Sequence, residues 1–285
     1  MSAATALVSV VVPSYEHGSH VEEALRSVAL QREVALELVV IDDASRDDSV
    51  AVVERLFDDR DFAVRFEHRL RLVVHETNRG AHAAINRGLR EATGDFLAIL
   101  NSDDVYAPER LSVMLGALQE GGAQLAMSRV ACIGAGADCE SGARESFRLR
   151  RHQDGVERHP SIGFASMASN VAISSGNLFF SRSLFEAVGG FDDLRYCHDW
   201  GFLLRSVLVT EPVLVQRALY RYRLHDTNSY RSLDSVAEAE TEHVLRRFFE
   251  TMRLEPPANP LAPSPQYWPG VFEYWMDRLG FWRYW

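Results

Sequence analysis

Short apolar runs alternate with amphipathic segments along the first hundred residues. The apolar runs of strand length are residues 7–12, 36–41, 70–74 and 96–100. Between them, helical spacing of apolar residues or a helix-start signal marks residues 21–29, 48–57 and 81–91. This strand–helix order predicts an α/β fold with a mostly parallel sheet flanked by helices.

The pattern is less regular in the second half of the chain. Residues 134–163 are rich in Gly and Arg with weak periodicity, which predicts loops or irregular structure. Beyond them we expect strands at 172–180 and 214–224, and helices beginning at Ser183, over 199–208 and over 235–252. A linker with five prolines, residues 256–265, precedes a strongly aromatic end.

Composition narrows the class of protein. The chain has 285 residues, of which 47% are hydrophobic, enough for one large domain or one domain with an added lobe. Its net charge of −10 and the absence of a long basic tract argue against a nucleic-acid partner. All 30 basic residues are Arg, so neither Schiff-base chemistry nor a P-loop lysine is available.

The cysteines and the length of the apolar stretches bear on the cellular location of the protein. Cys132, Cys139 and Cys197 are odd in number and lack CxxC spacing, which argues against a disulfide framework or a structural zinc site. The first residues lack the features of a signal peptide, and no stretch reaches about 18 apolar residues. We therefore expect a cytoplasmic protein, with a peripheral position at the inner face of the membrane left open.

Polar clusters follow three of the predicted strands, at Pro13-Ser14-Tyr15, at Asp42-Asp43 and at Asn101-Ser102-Asp103-Asp104. Ligands of parallel sheets bind beyond the carboxyl ends of the strands, so these clusters should meet. Adjacent carboxylates are costly to hold together unless a cation or solvent neutralises them, and Mg²⁺ uses one or two carboxylates plus substrate phosphates. The last cluster is either a metal and diphosphate site or an acidic helix start before Pro108.

Two later positions also have a chemical and a structural interpretation. Asp199 precedes an apolar helix, either as a helix cap or as a general base beside an aromatic sugar platform within Tyr196 to Trp200. His225 follows a strand with alternating arginines, either as a structural residue or at the rim of a diphosphate site.

Five segments together resemble the family 2 glycosyltransferases of the GT-A fold. They are Val8 to Tyr15, Val39 to Ser45, Asn78 to Gly88, Gly94 to Asp104, and Gly189-Gly190-Phe191 with His198-Asp199-Trp200. The resemblance spans about residues 7 to 230. It implies a GT-A Rossmann-like sheet, an acceptor-side region and a C-terminal helical, aromatic extension. The implied division is a nucleotide-sugar-binding half at 1–118, an acceptor-side half at 119–233, and a C-terminal helix and tail at 234–285.

The resemblance also implies roles for single residues. The donor-binding residues implied are Pro13, Ser14, Tyr15, Asp42, Arg79, Asn101, Ser102 and Asp103. The implied ligands of a Mn²⁺ or Mg²⁺ ion are Asp103, Asp104 and His225. Asp199 is the implied catalytic base. Two positions depart from the family's pattern: Asn101 stands where the first acid of the DxD motif is usual, and Gly201 stands where an acid is common.

The implied activity is metal-dependent, inverting transfer of a sugar from a nucleotide diphosphate donor, expected to be UDP-linked. The expected acceptor is a hydroxyl of a saccharide or lipid-linked saccharide, such as a cell-surface polysaccharide precursor. A sugar nucleotidyltransferase is the first alternative, but Pro13 to His20 lacks the Gly-rich, basic loop usual in that class. The second alternative is a non-catalytic nucleotide-sugar binder, which would need neither Asp199 nor His225.

The sequence does not decide what two further segments contact. The arginines Arg144, Arg148, Arg150, Arg151 and Arg158 are expected in a solvated loop, with an anionic acceptor or lipid headgroups as the alternative. The aromatic residues of 267–285 are expected to pack on the domain, with a homodimer contact and a peripheral membrane contact as alternatives.

Overall fold

A single eight-stranded sheet organises the computed structural model, which describes residues 6–134, 140–225 and 234–285. The strands are β1 Leu7–Ser14, β2 Ala35–Asp42, β3 Leu70–Val74, β4 Phe96–Ile99, β5 Val105–Tyr106, β6 Leu125–Ile133, β7 Phe179–Ser181 and β8 Val213–Arg223. Their order across the sheet is β3-β2-β1-β4-β7-β6-β8-β5.

Helices connect these strands and cover both faces of the sheet. They are α1 Gly18–Ala29, α2 Ser49–Asp58, α3 Arg60–Ala63, α4 Ala81–Glu91, α5 Arg110–Gly121, α6 Glu140–Arg151, α7 Ile162–Ala168, α8 Arg182–Val188, α9 His198–Val209, α10 Asp234–Leu254 and α11 Val271–Leu279. The α/β class predicted from the alternation is confirmed.

Strand direction explains how distant segments reach one edge of the sheet. β3, β2, β1 and β4 are mutually parallel, as predicted, whereas β7 is antiparallel to both β4 and β6. Two reversals restore the direction, so β6 and its parallel neighbour β8 run the same way as β4. The carboxyl end of β8 therefore lies at the same edge as those of β1, β2 and β4.

Alternation along the strands divides the core in two. In β1, Val8, Val10 and Val12 pack on one face with α1, α2 and α5, while Val11 packs on the other face with α4. This period of two follows from the pleat of a strand. The second face also receives α7 to α11, which makes a layered arrangement of helices, sheet and helices.

Two of the predictions for the middle of the chain are wrong. Residues 140–151 form α6 rather than a loop, and the predicted strand 172–180 is only β7, preceded by a 3-10 turn at Ser175–Asn177. Helix α6 escaped prediction because charged residues dominate it and Phe147, its one aromatic residue, is exposed. Arg144, Arg150 and Arg151 therefore lie on a helix, whereas Cys139 lies outside the described residues and nothing of the Arg148 side chain is described.

The aromatic end of the chain packs on the domain, as expected. Phe272, Trp275, Met276 and Tyr284 are buried in the same core as Phe249 of α10. A homodimer contact and a peripheral membrane contact stay predictions. Within the described residues, no helix combines the length and the apolarity that a bilayer span requires.

Candidate active site

The loop after β1 is fixed against the loop after β2. The backbone N–H of Glu16 donates to Ser45 Oγ at 2.9 Å, and that of Gly18 donates to Asp47 Oδ2 at 2.9 Å. Tyr15 stays 41% exposed, while the buried hydroxyl of Ser14 has no hydrogen-bond partner among the described residues. A buried hydroxyl without a partner is costly.

The two acids after β2 serve different loops. Asp42 is buried, and its carboxylate accepts the backbone N–H of Ser45 at 2.8 Å and the Ser45 hydroxyl at 2.6 Å. Asp43 accepts the backbone N–H groups of Arg79 and Gly80 at 2.9 and 2.7 Å. Asp43 thereby anchors the start of α4 and leaves the Arg79 side chain exposed.

Three side chains from separate segments converge beyond the ends of β1, β4 and β8. His225 Nε2 lies 2.9 Å from Asp103 Oδ2, and both side chains are mostly buried, 15% and 13% exposed. His17, from the loop after β1, completes a group whose ligand atoms all lie within 4.8 Å of one another. We refer to His17, Asp103 and His225 as the His–Asp–His cluster.

Asp104 points away from this cluster. It is 1% exposed, accepts the hydroxyl proton of Tyr220, and accepts the backbone N–H of Arg223 at 2.7 Å. Burial, together with the neighbouring Asp103 carboxylate, raises the pKa of Asp104 well above its usual value. We refer to Asn101 to Asp104 as the acidic loop. Asp104, expected as a metal ligand, lies where this loop meets β8. His17, which was not expected, lies among the possible ligand atoms.

Asn101 and Ser102 are tied into the surrounding protein. The Asn101 amide nitrogen donates to Ser174 Oγ at 2.9 Å, and its oxygen accepts the Ser175 hydroxyl at 3.1 Å. Ser102 Oγ lies 2.8 Å from His17 Nδ1. The amide in place of the usual acid therefore connects the acidic loop to the 169–177 segment.

Asp199 lies in the first turn of α9, where the helix dipole favours a carboxylate. It is 7% exposed, and its oxygens accept the backbone N–H of Trp200 at 2.7 Å and the Asn170 side-chain amide at 3.0 Å. Burial raises the pKa of Asp199 despite these donors. A buried carboxyl with a raised pKa is a candidate general base.

Of the two aromatic residues in the segment Tyr196 to Trp200, Trp200 is not available as a sugar platform. Trp200 is 8% exposed, and its indole N–H donates to the backbone oxygen of Ser166 at 2.8 Å. Helical periodicity turns this ring into the core, toward α7. The exposed ring near Asp199 is Tyr196, which precedes the helix and is 37% exposed.

A glutamate of the C-terminal helix holds the segment before Asp199. Glu240 accepts the backbone N–H groups of Arg195, Tyr196 and Cys197 at 2.9, 2.7 and 2.9 Å. Although burial opposes ionisation, these donors hold the pKa of Glu240 below its usual value. The C-terminal extension thus contributes directly to the placement of the candidate base.

His17, Asn170 and Glu240 were not predicted from the sequence. His17 carried the clearest signal, since it lies two residues after the polar cluster at the end of the first strand. Asn170 and Glu240 act across 29 and 43 to 45 residues of sequence, and only the packing of α7, α9 and α10 brings them to their partners.

The sequence was compared with protein families and with individual relatives. The model of glycosyl transferase family 2 matches residues 9–187, more than half of the chain. The succinoglycan biosynthesis protein ExoO of Rhizobium meliloti is 34% identical over 63% of this chain and 47% of that protein. The putative teichuronic acid biosynthesis glycosyltransferase TuaG of Bacillus subtilis is 31% identical over 40% of this chain and 42% of that protein. The chain therefore spans less than half the length of either relative.

Solved structures share the fold at low identity. TarS of S. aureus, in complex with UDP-GlcNAc, has a TM-score of 0.61 and 19% identity, over 85% of this chain and 65% of that chain. The mannosyltransferase PcManGT of Pyrobaculum calidifontis, in complex with GDP-Man and Mn²⁺, has a TM-score of 0.59 and 20% identity, over 96% and 73%. The family match and the shared architecture lead to one conclusion: this chain belongs to glycosyl transferase family 2 and has the GT-A fold.

Proposed function

We propose that this chain transfers a sugar from a UDP-linked donor to a saccharide hydroxyl, with inversion at the anomeric carbon. The observation that carries the proposal is the His–Asp–His cluster beyond the carboxyl ends of the parallel strands. That edge is where α/β sheets bind nucleotides. Asp199 supplies the second requirement of the reaction, a buried carboxylate with a raised pKa.

The donor atoms of the cluster fit a divalent cation. Two imidazole nitrogens and one carboxylate oxygen form a mixed set that suits first-row divalent ions, among them Mn²⁺. A bound cation would neutralise the negative charge of the departing nucleoside diphosphate. We assign His17, Asp103 and His225 as its ligands, and Asp104 to support of the loop through Tyr220 and Arg223.

The donor nucleotide is proposed to occupy the edge next to the cluster, within residues 1–118. Pro13, Ser14, Tyr15 and Asp42 would line the base and ribose pocket, with the exposed Tyr15 ring available to a ligand. Arg79 makes no ion pair with the described residues, so its guanidinium can contact the donor. Asn101 and Ser102 would support the diphosphate side.

Asp199 performs the proton transfer in this proposal. Its carboxylate takes the proton from an acceptor hydroxyl, whose oxygen then forms a bond to the anomeric carbon. The bond from that carbon to the diphosphate oxygen breaks on the opposite side, which inverts the configuration and releases UDP. The step needs one base and one leaving group, and no covalent sugar–enzyme adduct.

The acceptor is proposed to be a polysaccharide precursor bound by the 119–233 half. The names of two relatives support this class, since they refer to the biosynthesis of succinoglycan and of teichuronic acid. The exposed Tyr196 ring beside Asp199 is the candidate sugar contact on this side.

The pH dependence of transfer should follow Asp199. A base acts only when deprotonated, and burial raises the pKa of Asp199, so activity should fall as pH drops through that raised value. We expect the acid limb of kcat/KM to lie above the ordinary aspartate range of about 3.5 to 3.9. Stopped assays between pH 4 and 8 measure it, and an acid limb at or below that range would argue against Asp199.

A thermal-shift screen identifies the donor. Purified protein is heated with UDP-glucose, UDP-GlcNAc or GDP-mannose, each with Mn²⁺ and with EDTA. A donor at 100 times its Kd should stabilise the fold by about 2.7 kcal/mol, and only with Mn²⁺. Stabilisation by GDP-mannose alone would overturn the choice of uridine, and stabilisation that EDTA leaves unchanged would overturn the metal assignment.

The alternative from the sequence, a non-catalytic nucleotide-sugar binder, is distinguished from a transferase by turnover. Slow hydrolysis of the identified donor decides between the two. A transferase in the presence of water alone releases UDP slowly, whereas a pure binder releases it no faster than protein-free buffer does.

A further inference from the structure

Asn170 is oriented by its own backbone neighbours. Its side-chain oxygen accepts the N–H of Ala172 at 3.2 Å, which leaves its amide nitrogen to donate to Asp199 Oδ2 at 3.0 Å. The local turn therefore fixes which end of the amide meets the carboxylate. An N–H donor on a carboxylate favours the charged form and fixes its rotamer.

The backbone that carries Asn170 is held from two sides by fully buried amides. Gln153 Nε2 donates to the backbone oxygen of Val171 at 3.0 Å, and Asn177 Nδ2 donates to that of Ala172 at 3.0 Å. Gln153 and Asn177 are both 0% exposed. Asn170 is thus carried on a rigid support rather than on a free loop.

One residue of this support is strained. Ile173 has φ of +71°, a left-handed conformation that a β-branched side chain rarely adopts. Such conformations are unfavourable and persist only where the surrounding contacts impose them. The next two residues, Ser174 and Ser175, hold the two ends of the Asn101 amide. The segment 169–177 therefore contacts both Asp199 and the acidic loop.

We infer that Asn170 is a positioning residue for Asp199, and that the segment 169–177 fixes the base relative to the acidic loop. The inference rests on the proposed function for the role of Asp199. The Asn170 donor holds the carboxylate in one orientation before the acceptor arrives. The free-energy cost of orienting the base is therefore not part of the reaction step.

Two titratable residues precede Asp199 in the sequence. His198 lies on the same helix and interacts electrostatically with Asp199, and burial lowers the pKa of His198. The Cys197 thiol precedes it, and burial raises the pKa of that thiol to about 12. Two groups on other helices also act on His198: His82 of α4 lowers its pKa, and Glu240 of α10 raises it.

Asn170→Asp tests the inference, because aspartate keeps the oxygen that accepts the Ala172 N–H and replaces only the donor to Asp199. We expect kcat to fall about ten- to hundredfold near neutral pH, with the Kd of UDP and Mn²⁺ unchanged within about twofold. The acid limb of kcat/KM should move up by about one pH unit or more, because two carboxylates now face each other. Asn170→Ala should also lose activity, with a smaller shift of the limb.

A purely structural Asn170 gives the opposite pattern. Asn170→Asp would then behave like the wild type, because the turn is intact, while Asn170→Ala would be impaired; that result overturns the inference. If Asn170→Asp does not fold, Asn170→Ser takes its place. The serine hydroxyl can still accept from the Ala172 N–H but is too short to reach Asp199, so the same loss of kcat is expected.

A titration separates this inference from the proposed function. The Asp199 carboxyl carbon is followed by carbon NMR over pH, and its signal is identified by its absence in Asp199→Asn. We expect the Asp199 pKa to rise in Asn170→Asp whether or not a donor and acceptor are known. An unchanged Asp199 pKa would overturn the Asn170 contact, whereas absence of transfer by the wild type would overturn the function alone.

Discussion

Asp199→Asn should retain donor binding and lose sugar transfer by at least about a hundredfold, and up to about ten-thousandfold. The replacement keeps the size of the side chain and an oxygen for the Trp200 N–H, but removes the carboxylate that accepts the proton. Radiolabelled sugar transfer measures the rate, and calorimetry with UDP and Mn²⁺ measures binding.

The matched control is Asp58→Asn, at the exposed end of α2. It removes the same charge without touching the candidate site, so transfer should stay within about twofold of the wild type. Full transfer by Asp199→Asn, with a verified acceptor, would remove Asp199 from the mechanism. A parallel loss of UDP affinity would instead indicate that α9 had been displaced.

Asp103→Ala should abolish metal-dependent binding of UDP. Asp103 supplies the only carboxylate of the His–Asp–His cluster. Loss of a residue that only hydrogen-bonds to a metal ligand typically costs about 10- to 100-fold in metal affinity, and loss of a ligand should cost more. We therefore expect Mn²⁺ affinity to fall by at least about a hundredfold. Electron paramagnetic resonance of free Mn²⁺ measures the ion, and calorimetry with and without Mn²⁺ measures the nucleotide.

Two histidine variants make this prediction specific. His17→Asn should also weaken Mn²⁺ binding, because His17 contributes a ligand atom to the cluster. His20→Asn is the matched control: its ring centroid lies 5.5 Å from that of His225, yet His20 is outside the group of ligand atoms. Mn²⁺ affinity unchanged in both Asp103→Ala and His17→Asn would show that the cluster holds no metal.

The parallel half of the fold is predictable because its central strands, β1, β2 and β4, are buried on both faces. Continuous apolar runs such as Val8 to Val12 indicate that environment, and the polar residues that end them mark the edge where ligands bind. The resemblance to family 2, rather than this pattern, implies that His225 lies beside Asp103, and the two side chains are 2.9 Å apart. Helix α4 was predicted with the bounds that it has, Ala81–Glu91.

What escaped prediction depends on contacts across the sheet rather than along the chain. Asp103 and Asp104 are neighbours in sequence, and nothing local indicates that Tyr220 and the Arg223 backbone bind Asp104 while Asp103 faces the histidines. The burial of Trp200 depends on α7 covering α9. Helix α6 has too few apolar residues to reveal a helical period.

The central claim is that the His–Asp–His cluster and Asp199 together catalyse transfer from a nucleotide sugar. The most direct test is the rate of UDP release by the wild-type chain from the donor found in the thermal-shift screen. We predict turnover that stops with EDTA, returns with Mn²⁺, and rises when an acceptor saccharide is added. Donor binding with no UDP release above protein-free buffer, with Mn²⁺ and acceptor present, would contradict it.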